Sequence, residues 1–117
     1  MKKIVSIFIL LFILTACGTE KFETINTDKA IELIDNGATI IDVRTNEEFD
    51  REHIPGAINL PLQDIDTIDL DLNTTIIVYC QTGIRSKEAV TKLVELGYTS
   101  LYNLDGGLLN WGGSLEE

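Results

Sequence analysis

This chain of 117 residues has few of the side chains that most often carry function: two cysteines, one histidine and nine lysines and arginines together. Two cysteines cannot build a disulfide framework, and one histidine makes no metal-ligand cluster, so we expect neither a metal nor another cofactor. Nineteen acidic residues against nine basic ones give a formal net charge of −10. This charge argues against binding to nucleic acid or to anionic lipid, and any anionic substrate must be captured by a local field.

An apolar run covers residues 4–14 and is interrupted only by Ser6. It is too short to cross a bilayer as a helix, which needs about 20 residues. Two lysines precede it, and Leu14-Thr15-Ala16-Cys17 ends it, an arrangement typical of a secretory signal. The segment ending at Cys17 also resembles the lipobox of bacterial lipoproteins, whose cysteine is linked to diacylglycerol. An ordinary secreted product and an uncleaved anchor helix are the alternatives.

The predicted organisation is a signal peptide over 1–16, a lipidated Cys17 with a short linker over 17–21, and one domain over 22–117. Two or three acyl chains would attach the protein firmly to a membrane. We expect a monomer, lipid-anchored to the extracytoplasmic face of the cell membrane. With Cys17 acylated, the other thiol, Cys80, would stand alone outside the reducing cytoplasm, and reactivity would explain its presence.

Cys80 follows the apolar run 75–79 and opens a loop that leads into a helical pattern over 86–96. A strand, a glycine-containing loop and a helix start together aim backbone N–H groups at one point, which lowers the pKa of a thiol there. A small apolar residue ending a core strand is the alternative interpretation of Cys80. The candidate substrate-binding residues are those of the loop: Gln81, Thr82, Gly83, Ile84, Arg85 and Ser86.

Apolar runs elsewhere predict an α/β fold. Strands are predicted over 22–25, 39–43, 57–59, 75–79 and 99–103. Helices are predicted from an N-cap at Thr27 to a stop at Gly37, from Thr45 through Phe49, over 86–96, and as a closing turn over 108–111. Alternation of strands and helices indicates one mainly parallel sheet of about five strands with helices on both faces. Sites in such folds lie beyond the carboxyl ends of the strands, where Asp42, Arg44 and Cys80 would meet.

Five motifs, in this order, resemble those of single-domain rhodanese-like proteins. They are Ile41-Asp42-Val43-Arg44, Glu47-Glu48-Phe49, the segment from His53 to Asn59, the Cys80 loop, and Leu104-Asp105-Gly106-Gly107 with Trp111. The resemblance covers about residues 22–112. Glu52 is a departure, because the family usually has glycine before the histidine, and this affects the expected local turn.

The resemblance implies a sulfurtransferase: Cys80 takes a sulfane sulfur from a donor such as thiosulfate or a persulfide and passes it to an acceptor such as cyanide or a thiol. Arg85 would orient and neutralise an anionic donor. Asp42 and Arg44 are expected to support the loops, through hydrogen bonds and an ion pair with Glu47 or Glu48. The two remaining motif residues, His53 and Trp111, are expected to be architectural.

Two other functions stay open. Relatives of this fold include cysteine-based phosphatases and arsenate reductases, but these place five residues between cysteine and arginine. Here only four, 81–84, lie between Cys80 and Arg85, and the tighter loop favours a single sulfur atom over a phosphate group. The other possibility is a binding or redox-sensing module without turnover, although a docking domain has no need of an intact cysteine and arginine.

Overall fold

Five parallel strands form one sheet in the computed structural model, which describes residues 21–117. The strands are β1 (Glu23–Ile25), β2 (Thr39–Asp42), β3 (Ile58–Asn59), β4 (Thr75–Tyr79) and β5 (Ser100–Leu104). Their spatial order is β1-β5-β4-β2-β3, and all four pairings are parallel. The central strand β4 pairs Val78 with Asn103 on one side and Tyr79 with Asp42 on the other.

Three α-helices and one 3₁₀ segment connect the strands, and a second 3₁₀ segment follows β5. They are α1 (Thr27–Asp35), α2 (Asn46–Arg51), a 3₁₀ segment at Leu62–Thr67, α3 (Ile84–Glu95) and a 3₁₀ segment at Gly107–Asn110. Helix α2 begins with a capping box, because the Thr45 hydroxyl accepts from the Glu48 N–H while the Glu48 carboxylate accepts from the Thr45 N–H.

Alternation along β4 separates two apolar cores. Ile76, Val78 and Cys80 face one core with the apolar side of α3, and Ile77 and Tyr79 face the other core with α1. A strand directs successive side chains to opposite faces, so a β4 that is apolar throughout must be covered on both faces. This confirms the predicted α/β class, the parallel sheet and the helices on both faces.

Several predicted boundaries differ from the structure. The strand over 75–79 is confirmed. The strands predicted over 22–25, 39–43 and 57–59 are each one residue shorter at one end, and the strand predicted over 99–103 is displaced by one residue to Ser100–Leu104. Asn26, not Thr27, is the N-cap of α1, because its side-chain oxygen accepts from the Lys29 N–H at 2.9 Å. Helix α3 begins at Ile84, two residues before the predicted start, and the segment Leu62–Thr67 was not predicted.

The predicted signal peptide, the lipidation of Cys17 and most of the linker lie outside the described residues. Within 21–117, none of the helices combines the length and apolar character needed to span a membrane.

Candidate functional site

Cys80 lies directly after β4, at the carboxyl edge of the sheet. The 3₁₀ segment that follows β5 forms hydrogen bonds with the backbone of Cys80 and of the next residue. The Leu108 N–H donates to the Cys80 carbonyl at 2.9 Å, and the Leu109 N–H donates to the Gln81 carbonyl at 3.1 Å. The approach is possible because residue 107 is glycine: a Cβ there would lie 2.5 Å from the Cys80 carbonyl oxygen. The motif around Gly107 therefore fixes the start of the cysteine loop.

The Cys80 sulfur lies inside a cradle of hydrogen-bond donors. The Gly83 N–H donates to Sγ at 3.1 Å and the Ser86 N–H donates at 3.4 Å. The Ser86 hydroxyl lies 3.5 Å from Sγ, where it can donate to a thiolate. Both N–H groups belong to the first turn of α3 or to its cap, so the positive end of the helix dipole adds to them.

These contacts decide the ionisation of the thiol. Burial raises the pKa of Cys80, but the Ser86 hydroxyl and the N–H groups of Ser86, Gly83 and Thr82 together lower it by more, and the net pKa is below the ordinary cysteine value. The residue is 0% exposed. The sulfur is therefore enclosed by the protein.

Gly83 makes the loop geometry possible. Its φ of +102° lies in the left-handed region, and it is the N-cap of α3 without any side-chain hydrogen bond. The turn reverses the chain so that the first amides of α3 face Cys80. Because the turn is complete at Gly83, the helix begins at Ile84, two residues before the start that the apolar pattern predicted. The loop contacts with Sγ are made by backbone and by Ser86, whereas the side chains of Thr82 and Ile84 are exposed.

Asp42 and Arg44 form a buried pair beside the loop. The guanidinium donates to both carboxylate oxygens of Asp42, at 2.8–3.1 Å, and also to the Gln81 side-chain oxygen at 3.2 Å. Burial lowers the pKa of Arg44, but Asp42 raises it more, so the net pKa is above the usual value. The supporting role expected from sequence fits these contacts, while the expected ion pair of Arg44 with Glu47 or Glu48 is wrong.

Glu48 instead pairs with Arg85. The two guanidinium nitrogens of Arg85 donate to the two Glu48 carboxylate oxygens at 2.8 and 3.1 Å. This hydrogen bonding is the main reason that the pKa of Glu48 falls to about 2, and Glu48 in turn raises the pKa of Arg85. The cation of the loop is thus neutralised by α2, a pairing that was not predicted from the sequence.

Asn59 and Glu52 make three further contacts near the buried pair of Asp42 and Arg44. Asn59 donates from its side-chain amide to the carbonyls of Asp42 and Arg44, at 3.1 and 3.0 Å. Glu52 has a φ of −173°, which is extended backbone open to any residue, and its carbonyl accepts from Arg44 at 2.6 Å. The departure from glycine at position 52 therefore imposes no strain on the turn.

His53 and Trp111 contact other parts of the structure. The His53 ring stacks on Phe49 with a centroid distance of 3.7 Å, and its backbone pairs with Glu116. Trp111 packs against the core that contains α1 and donates from its indole N–H to the Ser114 carbonyl at 2.9 Å. Among residues 21–117, no group of three or more histidine, cysteine and acidic side chains could hold a metal ion.

The chain is similar in sequence and in fold to known proteins. The family model described as "Rhodanese-like domain" matches residues 26–114. YqhL of Bacillus subtilis, an uncharacterized protein, is 40% identical over 68% of this chain, and the match spans 64% of the relative. The thiosulfate sulfurtransferase PspE of Escherichia coli is 43% identical over 56% of this chain and 67% of its own length. A rhodanese-like domain protein of Staphylococcus aureus superposes with a TM-score of 0.72 at 31% identity, covering 80% of this chain and 96% of that chain.

Proposed function

Because the chain belongs to the rhodanese-like domain family, we propose that it is a sulfurtransferase that uses Cys80 as its nucleophile. The observation that carries the proposal is the cradle around Sγ, in which two backbone N–H groups at 3.1 and 3.4 Å and the Ser86 hydroxyl point at one sulfur. Such donors stabilise a thiolate before attack and a persulfide anion after it. The relative PspE, named a thiosulfate sulfurtransferase, supports the same reaction class.

The proposed reaction has two displacement steps. The Cys80 thiolate attacks the outer sulfur of thiosulfate, the new S–S bond forms, and the old S–S bond breaks with its electron pair leaving on sulfite. The acceptor then attacks the outer sulfur of the persulfide: cyanide becomes thiocyanate, or a thiolate becomes a persulfide, and the Cys80 thiolate is regenerated. No proton transfer is required if the thiol is already ionised, which the lowered pKa favours.

Other site residues support this chemistry. The N–H groups of Gly83 and Ser86 hold the negative charge, whereas Arg85 is already paired with Glu48 and adds little net positive charge at the loop. Asp42 and Arg44 position the loop through Gln81. The proposed substrates are small sulfur donors and thiol or cyanide acceptors, and the protein acts as a monomer.

Intact mass spectrometry tests the proposal. The purified full chain, incubated with thiosulfate, should gain the mass of one sulfur atom, and cyanide should remove it. Cys80→Ser should abolish the gain, whereas the matched variant Cys17→Ser should keep it. Failure of thiosulfate and of an organic persulfide to load Cys80 would favour a binding module, and Cys80-dependent hydrolysis of an aryl phosphate would favour a phosphatase.

The place of the reaction is a separate proposal, based on residues 1–17 of the sequence. We propose that Cys17 carries the lipid and that the domain lies at the extracytoplasmic face of the cell membrane. Metabolic labelling with a fatty acid should mark the wild-type chain and the Cys80→Ser variant but not Cys17→Ala. Label retained in Cys17→Ala would overturn the anchor without affecting the sulfurtransferase proposal.

A further inference from the structure

The charges at the candidate site leave no free arginine for a donor. Arg44 is buried and paired with Asp42 at 2.8 Å, and Arg85 is paired with Glu48 through two hydrogen bonds. The chain as a whole carries a formal net charge of −10. A dianion such as thiosulfate therefore meets a neutralised loop on an acidic molecule, and it gains little from the local field.

Two exposed apolar side chains flank the same loop. Ile84 is 78% exposed and Leu109 is 69% exposed, the largest fractions among the exposed large hydrophobic residues of 21–117. Ile84 follows Gly83, whose N–H donates to Sγ, and the Leu109 N–H is bonded to the Gln81 carbonyl. We call Ile84 and Leu109 the apolar rim.

The position of the apolar rim beside the cysteine loop makes it a candidate contact surface for the donor, unlike apolar side chains scattered over the surface. Single exposed leucines and isoleucines are common and need no explanation. Here both residues are fixed to the loop that begins at the proposed nucleophile, because Ile84 follows Gly83 and the Leu109 N–H is bonded to the Gln81 carbonyl. An apolar group on the donor would cover the rim and remove it from water, which favours binding in proportion to the apolar area buried.

We infer that the preferred sulfur donors are monoanions that carry an apolar group, the chemistry shared by organic thiosulfonates and organic persulfides. In this inference, which rests on the proposed function, the Glu48–Arg85 pair disfavours the thiosulfate dianion and the apolar rim selects the organic group. With a thiosulfonate, the Cys80 thiolate bonds to the outer sulfur and the S–S bond breaks with its electron pair leaving on a sulfinate. With a persulfide, the same displacement releases a thiolate, so charge and atoms balance in both cases.

The apolar rim is tested with two donors of equal charge. Thiocyanate formation from cyanide is measured with benzenethiosulfonate and with methanethiosulfonate, each rate divided by that of the donor's uncatalysed reaction with cyanide. Wild type should favour the benzene compound by about ten-fold in kcat/KM, because a ring buries apolar area that a methyl group does not. The double variant Ile84→Ala with Leu109→Ala should bring this ratio close to one. Leu72→Ala, at a leucine that is 53% exposed away from the cysteine loop, should leave the ratio unchanged.

The charge arm uses Glu48→Gln. Glutamine can keep the capping box of α2, but it removes the negative charge that is paired with Arg85. We therefore expect kcat/KM for thiosulfate to rise roughly five-fold relative to that for methanethiosulfonate. Glu47→Gln makes the same charge change on the same helix without touching Arg85, and it should change this ratio little. An equal rise in both variants, or none in Glu48→Gln, would overturn the role of the pair.

A third arm separates the two donor classes, and also separates this inference from the proposed function. Benzyl persulfide should load Cys80 as benzenethiosulfonate does; loading by only one of the two restricts the inference to that class. If no donor forms a Cys80 persulfide, the proposed function fails. If all donors load but thiosulfate is used as well as the aromatic donors, the proposed function stands and the inference on donor class is wrong.

Discussion

At Cys80, burial and hydrogen bonding act in opposite directions on one sulfur atom. Burial disfavours the charged thiolate, whereas the loop amides and the Ser86 hydroxyl favour it, and the second influence is the larger. Since the pKa is lower in the folded chain than in the unfolded one, ionisation of Cys80 stabilises the fold at high pH. This contribution disappears as the pH falls through the folded-state pKa.

Ser86→Ala should therefore change the pH dependence of the reaction. The variant removes the hydroxyl 3.5 Å from Sγ and leaves the Ser86 N–H in place, so the pKa of Cys80 should rise. Thiocyanate formation at neutral pH should fall roughly ten-fold, the cost of one hydrogen bond to a charged group. The acidic limb of the pH–rate profile should also move to higher pH.

Ser100→Ala is the matched control, because the Ser100 hydroxyl bonds to Thr75 at the opposite end of the sheet. A slower rate with an unmoved acidic limb in Ser86→Ala would mean that the hydroxyl positions the loop and does not tune the thiol.

Between elements, Gly107 approaches the backbone of the cysteine loop closely. A Cβ at position 107 would lie 2.5 Å from the Cys80 carbonyl oxygen and 2.7 Å from the Gln81 carbonyl carbon, both of them backbone atoms. The residue also has a φ of +59°. An alanine here must push the loop away as well as adopt an unfavourable backbone conformation.

We expect Gly107→Ala to lower the free energy of unfolding and to reduce turnover strongly. Gly56→Ala is the control, because Gly56 has a φ of +85° but no atom lies within 4 Å of the position that an alanine Cβ would take there. Each variant should lose about 1–2 kcal/mol for the left-handed backbone, and Gly107→Ala should lose more. Urea denaturation and thiocyanate assays measure the two effects; equal losses and equal turnover would contradict a steric role for Gly107.

The Glu48–Arg85 bridge joins α2 to α3 and gives a second prediction at this scale. The pKa of Glu48 falls from 4.5 to about 2 on folding, so the ionised carboxylate stabilises the fold above pH 4.5, and this contribution is lost as the pH falls toward 2. The stability difference between wild type and Glu48→Gln, from urea midpoints, should be largest near neutral pH and should vanish near pH 2.

Glu32→Gln provides the comparison for this pH series. Glu32 forms an exposed pair with Lys29 at 3.6 Å, which is expected to contribute little. A Glu48→Gln difference that stays constant from neutral to acidic pH would show that the bridge adds no stability.

For the whole molecule, the net charge of −10 sets the response to salt. Thiosulfate is a dianion and the arginines of the site are paired, so screening should help its capture. We expect kcat/KM for thiosulfate to rise roughly two- to five-fold as the Debye length falls from about 30 Å to about 10 Å. The monoanion benzenethiosulfonate should show a smaller rise. A fall for thiosulfate would mean that attraction by Arg85 dominates.

Much of the architecture was predictable, because its signals are local. Thr75–Tyr79 is a short run of β-forming residues, and the glycine-containing loop after it indicates a helix start. The partner of Glu48 was not predictable in this way. Arg85 lies 37 positions away along the chain, whereas sequence reasoning paired the nearby Arg44 with α2. Sequence spacing could not show that Arg44 forms its ion pair with Asp42, the buried last residue of β2.

Smaller errors have the same cause. Asn26 and Thr27 are both good caps, and the choice depends on backbone direction: Asn26 is extended, with φ −91° and ψ 179°, and the helix begins after it. The 3₁₀ segment at Leu62–Thr67 contributes only Ile65 as a fully buried residue. Its sequence therefore shows no periodic pattern of apolar residues from which a helix could be predicted.

The complete enclosure of the Cys80 sulfur has a consequence for chemical labelling. The rate at which an electrophile labels a cysteine normally depends on both the thiolate fraction and the accessibility of the sulfur. For Cys80 the lowered pKa favours labelling, whereas the burial of the residue opposes it. A bulky maleimide should react slowly with the native chain and rank this residue among inert structural cysteines, although the pKa of its thiol is lowered. Proteome-wide surveys based on such reagents should overlook this cysteine, whereas a small alkylating agent should detect it.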